Sequence, residues 1–328
     1  MCFCIISQFA FSFKKKRPSF PCQSLESAER SIFLKKPLFT GSAAALVTPL
    51  RAGAPDLAAF RALIERQLAG GTDALVVCGT TGEAATLTPE ERRAVISACI
   101  AQVGGRVPVV VGTGANDTAR ACALSREAET LGADGLLVVT PYYNKATQDG
   151  LVRHFTAVAD AVRLPVILYN VPSRTGVSCA AETYAALSEH PQIVGVKEAS
   201  GNFALLQDTR RLCPPDFFVW SGNDEDTAAV MALGGVGVIS TAANLIPREM
   251  HELTALCLAD RFREAGQRQI AMSELLRALF CEVNPIPIKT ALARLGLCGG
   301  ELRLPLSPMQ PENERRLLRA MERFGLAA

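Results

Sequence analysis

The sequence predicts an α/β chain, a (β/α)8 TIM barrel with a C-terminal helical domain. Two patterns carry this expectation. Short β-branched apolar runs recur eight times between residues 43 and 240, each followed by a segment of helical periodicity. Beyond about residue 260 the strand signal stops and only helical periodicity remains. Near-continuous apolar strands alternating with helices imply a parallel sheet covered on its outer face. Eight repeats favour closure into a barrel over an open, doubly wound sheet.

The strand runs are 43–47 (AAALV), 74–78 (ALVVC), 108–112 (PVVVG), 135–139 (GLLVV), 165–169 (PVILY), 193–197 (IVGVK), 217–220 (FFVW) and 236–240 (VGVIS). Between them, segments such as 56–70, 88–103, 117–131 and 148–162 carry apolar residues at i, i+3, i+4 spacing and read as helices. Thr88-Pro89-Glu90-Glu91 reads as a helix start, with a capping threonine, proline in the first turn and a glutamate three residues on. Segments 261–280, 287–295 and 311–324 read as the helices that follow the barrel. The expected division is an N-terminal extension over 1–37, a catalytic barrel over 38–260 and a helical domain over 261–328.

The extension differs from the body in composition. It holds seven Lys/Arg against Glu26 and Glu29, a net +5 that leaves −3 for the remainder of a chain whose formal charge is +2. Its apolar stretch precedes its basic cluster, the reverse of a secretory signal. A translation start downstream, an organelle-targeting tail and a functional extension remain the readings for it. A slightly acidic body without a basic stripe argues against nucleic-acid binding. No apolar run reaches the roughly 18 residues of a membrane span. The chain has 11 cysteines, scattered singly and without a CxxC pair, which points to reduced thiols in a cytoplasmic compartment. Its three histidines, His154, His190 and His251, stand apart from other metal ligands, so no metal site is expected.

In a barrel, functional residues cluster just after the C-terminal strand ends. Lys197 closes the sixth run. A lysine there either turns into water or, if desolvated, loses its proton and attacks a carbonyl. Beyond residue 37 the chain uses only Lys145, Lys197 and Lys289 against many arginines, which favours a task that guanidinium cannot perform. Three of the four tyrosines, Tyr142, Tyr143 and Tyr169, also fall at strand ends. Phenols cap barrel cores, and they also pass protons between a ligand and water. Gly79-Thr80-Thr81-Gly82 can cradle a carboxylate with amides and hydroxyls, and it lacks the lysine of a P-loop. Arg174 is either a surface charge or a clamp for a second carboxylate.

Taken together, the segments FTGSAAALVTP (39–49), GTTGEAATL (79–87), GTGAND (112–117), TPYYNK (140–145), YNVPSRTG (169–176), GVKEASGN (195–202), GGVGVIS (234–240) and NPIPIK (284–289) resemble the dihydrodipicolinate synthase family of class I pyruvate-dependent aldolases. The resemblance covers about residues 38–328. It implies condensation of pyruvate with L-aspartate-4-semialdehyde through a lysine Schiff base, without cofactor or metal, in a homotetramer built from two tight dimers. By position it implies that Lys197 forms the imine and that Tyr169 donates and accepts protons beside it. Thr80 and Tyr143 complete a relay, Tyr143 from across the tight-dimer interface. Thr81 holds the pyruvate carboxylate, Ile239 offers a backbone contact, and Arg174 meets the carboxylate of the semialdehyde.

Sister aldolases, N-acetylneuraminate lyase and the keto-deoxy sugar-acid aldolases, share the lysine and tyrosine but usually lack the arginine and the paired threonines. A non-catalytic barrel serving as a sensor or scaffold would have lost Lys197 or Tyr169. The chain departs from lysine-inhibited members at two positions: Arg120 stands where a glutamate is expected and Arg92 where a histidine is. Weak or absent inhibition by lysine is therefore expected.

Overall fold

The structure, a computed structural model, describes residues 34–326; the extension expected over 1–37 lies outside the described residues up to position 33. Eight parallel strands close into a barrel: β1 (Gly41–Ala45), β2 (Ala74–Val77), β3 (Val109–Gly112), β4 (Gly135–Val139), β5 (Val166–Asn170), β6 (Ile193–Glu198), β7 (Phe218–Ser221) and β8 (Gly237–Ser240). Each pairs with its neighbour in sequence, and β1 pairs with β8 to complete the ring.

The strands alternate between two cores, as the period of two demands. Inward residues such as Ala43, Val76, Val110, Leu137, Ile167 and Ile239 fill the barrel. Their neighbours Ala44, Leu75, Val111, Leu136, Leu168 and Val238 pack outward against the helices. Both faces are therefore dry, which explains why the strands read as unbroken apolar runs.

The outer helices are α1 (Leu57–Ala69), α2 (Pro89–Val103), α3 (Thr118–Thr130), α4 (Gln148–Asp160), α5 (Ala181–Ser188), α6 (Phe203–Leu212), α7 (Thr227–Ala232) and α8 (Pro247–Leu258). Five of these eight starts are marked by a capping side chain. Asp56, Asp117, Thr147 and Asn202 each accept a backbone N–H of the first turn. At α2, Thr88 and Glu91 form the reciprocal box expected from their spacing, each side chain accepting the other's backbone N–H. Three further helices follow, α9 (Phe262–Leu279), α10 (Ile286–Arg294) and α11 (Pro311–Arg323), within a residue of the expected bounds.

The first strand begins two residues before the expected run and ends at Ala45 instead of Val47. Its start was hidden by glycine. Gly41 has φ 95°, and a Cβ on Gly237 would stand 2.1 Å from the Gly41 carbonyl oxygen. Closing the ring brings these two backbones too close for side chains, so the seam carries the residue that strand propensity disfavours. At the other end, the Val47 amide donates to the Asn244 side chain and so leaves the sheet. Among the described residues no helix is long and apolar enough to cross a membrane. All eight cysteines in the described part are free thiols, most of them buried in apolar packing.

Candidate active site

At the C-terminal end of the barrel lies a cavity of about 160 Å³, room for about five waters. The strand period aims the key side chain into it. Val196 packs outward, so Lys197 points inward, while Glu198 points out again to accept hydrogen bonds from Asn170 and the Tyr184 hydroxyl. Lys197 is 6% exposed and lines the cavity. Its register partner across the ladder is Tyr169, and its Nζ lies 4.4 Å from the centre of the Tyr169 ring. The ring's negative face attracts the ammonium and keeps the long side chain from wandering.

Thr80 and Thr81, from the loop after β2, line the same cavity. Thr81 is tied on two sides: its Oγ1 accepts from Asn284 Nδ2 at 2.9 Å and lies 3.3 Å from Thr241 Oγ1. Arg174 comes from a helical turn, Pro172–Thr175, that follows β5. It is exposed at the rim, and its Nη2 donates to the Asn284 carbonyl at 3.2 Å. Behind the cavity, Asp224 Oδ2 accepts the amides of Thr241 and Ala242. Burial raises the Asp224 carboxyl above its usual range, opposed by hydrogen bonds from Ser240 and these amides and by the Lys197 charge.

Of the residues singled out from sequence, Lys197, Tyr169, Thr80, Thr81 and Arg174 meet at this one cavity. Two do not line it. Ile239 is buried inside the barrel in the cluster that includes Tyr169 and Trp220. Tyr143 is 88% exposed, on a backbone with φ 75°, and stands clear of its own chain's cavity.

A family model described as the Dihydrodipicolinate synthetase family matches residues 38–323. The chain belongs to that family. The 4-hydroxy-tetrahydrodipicolinate synthase of Alkaliphilus oremlandii (strain OhILAs) is 50% identical over 289 residues, 88% of this chain and 100% of the relative. Among solved structures, dihydrodipicolinate synthase from Aquifex aeolicus is 46% identical with a TM-score of 0.86, over 88% of this chain and 99% of that one. The chloride inhibited dihydrodipicolinate synthase from Acinetobacter baumannii complexed with pyruvate is 42% identical, also with a TM-score of 0.86, over 88% and 99%.

The cavity of this dihydrodipicolinate synthetase family member also contains residues that sequence reasoning did not single out as site residues. Asn284 and Phe280 line it from the region beyond the barrel, and Thr241 lines it from just after β8. Reading only strand ends excluded the first two. The NPIPIK segment held the available signal, a run of polar and apolar residues between helices with Asn284 at its head.

Proposed function

We propose that the chain condenses pyruvate with L-aspartate-4-semialdehyde to give 4-hydroxy-tetrahydrodipicolinate, a step of diaminopimelate and lysine biosynthesis. The observation that carries this reading is Lys197, desolvated in a small cavity, over the Tyr169 ring and shared with two threonines and an arginine. The names borne by the relatives and the pyruvate in the Acinetobacter baumannii structure support the choice of substrates.

In this reading Lys197 Nζ adds to the keto carbon of pyruvate, and loss of water leaves a protonated imine. The imine cation is an electron sink, so the pyruvate methyl gives up a proton and becomes an enamine carbon. That carbon bonds to the aldehyde carbon, whose oxygen takes a proton. The amine of the semialdehyde then attacks the imine carbon, closes the ring and releases Lys197. The lysine supplies the electrophilic chemistry itself, so the step calls for no added cofactor. Tyr169 is the proton donor and acceptor, with Thr80 and Tyr143 completing the relay. Thr81 holds the pyruvate carboxylate, Ile239 supplies a backbone contact, and Arg174 takes the carboxylate of the semialdehyde in a fork-shaped grip.

Tyr143 is exposed and is not among the residues lining its own chain's cavity, which supports a tight dimer in which it serves the neighbouring site, and a tetramer built from two such dimers. The free thiols support a reducing, cytoplasmic setting. The division into a catalytic barrel over 38–260 and a helical domain over 261–328 belongs to the same proposal. The alternative is a sister aldolase acting on a sugar-derived aldehyde, and Arg174 together with the paired threonines favours the semialdehyde.

Borohydride reduction in the presence of pyruvate, with peptide mapping, tests the proposal. The expected adduct is on Lys197, and Lys197→Ala abolishes turnover. Absence of that adduct, or turnover of a sugar-derived aldehyde in preference to the semialdehyde, would refute it.

A further inference from the structure

Lys289 and Glu83 form an ion pair sealed from solvent. Lys289 Nζ donates to Glu83 Oε1 at 2.6 Å, with side chains 0% and 3% exposed. Burying two charges is unfavourable, and an apolar pair of similar volume commonly stabilises a fold as well or better. The pair is therefore better explained by what it fixes than by stability.

What it fixes is the loop after β2. Cys78 and Glu83 both adopt left-handed backbone conformations, each with φ 54°, and Thr80 and Thr81 lie between them. Inside the loop, the Glu83 amide donates to the Thr80 carbonyl, and the Thr48 hydroxyl donates to the Gly82 carbonyl. Such a turn is strained for a non-glycine residue unless its surroundings hold it. Glu83 is held from outside the barrel: Lys289 of α10 takes one carboxylate oxygen, and the Arg303 amide donates to the other at 3.4 Å. The same stretch reaches the loop a second time, through Asn284 Nδ2 and Thr81 Oγ1. The two Thr hydroxyls are thus placed by a loop whose end is anchored in the C-terminal helices.

We propose that Glu83 and Lys289 are a positioning pair that builds the pyruvate carboxylate site, so that cutting the pair weakens capture of pyruvate. This inference rests on the reading of Thr81 as the carboxylate holder and Lys197 as the imine former.

The test compares wild type, Lys289→Met and the double variant Glu83→Gln/Lys289→Met. Lys289→Met leaves a lone buried carboxylate and is expected to lower Tm as well as raise KM for pyruvate. The double variant buries no lone charge, so its Tm is expected to return close to wild type. Its KM for pyruvate is expected to stay raised by about tenfold or more, with kcat at saturating pyruvate changed by less than about threefold. Borohydride trapping at subsaturating pyruvate should fall in parallel. A merely structural pair predicts that KM recovers together with Tm, and that result overturns the inference. Wild-type protein trapped at Lys197 alongside a double variant with unchanged pyruvate KM removes this inference alone. No adduct on wild-type Lys197 removes it together with the reading on which it rests.

Discussion

A methyl group on Gly222 would stand 3.1 Å from Cε of Lys197 and 2.5 Å from Cβ of Ala199. Gly222 begins the turn after β7, and its amide donates to the Glu198 carbonyl at 2.7 Å, so the backbone cannot easily back away. A side chain at this position would collide with Ala199 and press on the lysine, whose Cε would have to give by a few tenths of an ångström.

Gly222→Ala is accordingly expected to shift the Ala199 segment and nudge the neighbouring lysine out of place without unfolding the protein. Overpacking of this kind costs about 1–3 kcal/mol. Expressed at the site, that corresponds to a loss of roughly tenfold to a hundredfold in kcat/KM. Turnover and the yield of borohydride-trapped pyruvate adduct should fall together while Tm drops by a few degrees. Full activity in a folded Gly222→Ala protein would show that Lys197 is free to sit elsewhere.

Arg174→Lys keeps the charge but loses the planar fork. If Arg174 grips the carboxylate of the second substrate, KM for the semialdehyde should rise by roughly tenfold to a hundredfold, the scale of a charge-assisted hydrogen bond. KM for pyruvate should stay within about twofold. Steady-state kinetics with each substrate varied in turn makes the comparison. A rise confined to pyruvate would assign the guanidinium to the other carboxylate.

Stability should decline in alkali. Burial pushes the Cys78 thiol up to about 11 and those of Cys99 and Cys179 to about 12, from an ordinary value near 9.0. Burial likewise holds the Tyr184 hydroxyl well above its ordinary value. Above the unfolded value the unfolded chain loses these protons while the folded chain keeps them. The folded state then binds more protons, so stability falls as pH rises past about 9. Each such thiol contributes a loss of roughly 1.4 kcal/mol per pH unit in that window. Urea midpoints should therefore decline between about pH 8 and pH 10, and Cys99→Ala should flatten the decline whatever it does to the midpoint at neutral pH. A midpoint independent of pH across that range would contradict the burial of these thiols.

Sub-millimolar lysine is expected to leave the activity unchanged. Of the two arginines that depart from lysine-inhibited relatives, Arg92 is turned inward, its Nη2 donating to the Gly112 carbonyl at 2.6 Å. Arg120 is exposed on α3 and presents its charge to an approaching ammonium, a repulsion of order 1 kcal/mol. Arg120→Glu should bring sensitivity closer, whereas Arg92→His alone should not. Inhibition of the unaltered protein by sub-millimolar lysine would reverse this expectation.

The barrel was legible because the strands are buried on both faces and five of the eight outer helices start on a capping side chain, features that survive in a one-dimensional string. Strand ends were less so: the seam between β1 and β8 is made of Gly41 and Gly237, and a close backbone approach leaves no apolar signature. Lys197 and Tyr169 were legible from the rarity of lysine and tyrosine in the body of the chain, and Thr80, Thr81 and Arg174 from their place just after strand ends. Asn284 and Phe280 were not, since their place depends on how the helices beyond the barrel fold back over it. Glu83 was hidden differently. Within GTTGE its place after a strand marks it as unlike a surface residue but gives it no partner, and only the arrival of Lys289 from α10 reveals one.

The sealed pair also constrains how this sequence can drift. Either residue replaced alone leaves its partner as a solitary charge in the interior, a loss of about 3–5 kcal/mol. Leaving the Glu83–Lys289 state without that loss requires changing both positions, although they lie far apart along the chain. The two should be inherited as a unit, and exchange of the C-terminal segment between homologues should succeed only where the donor brings a cation to position 289.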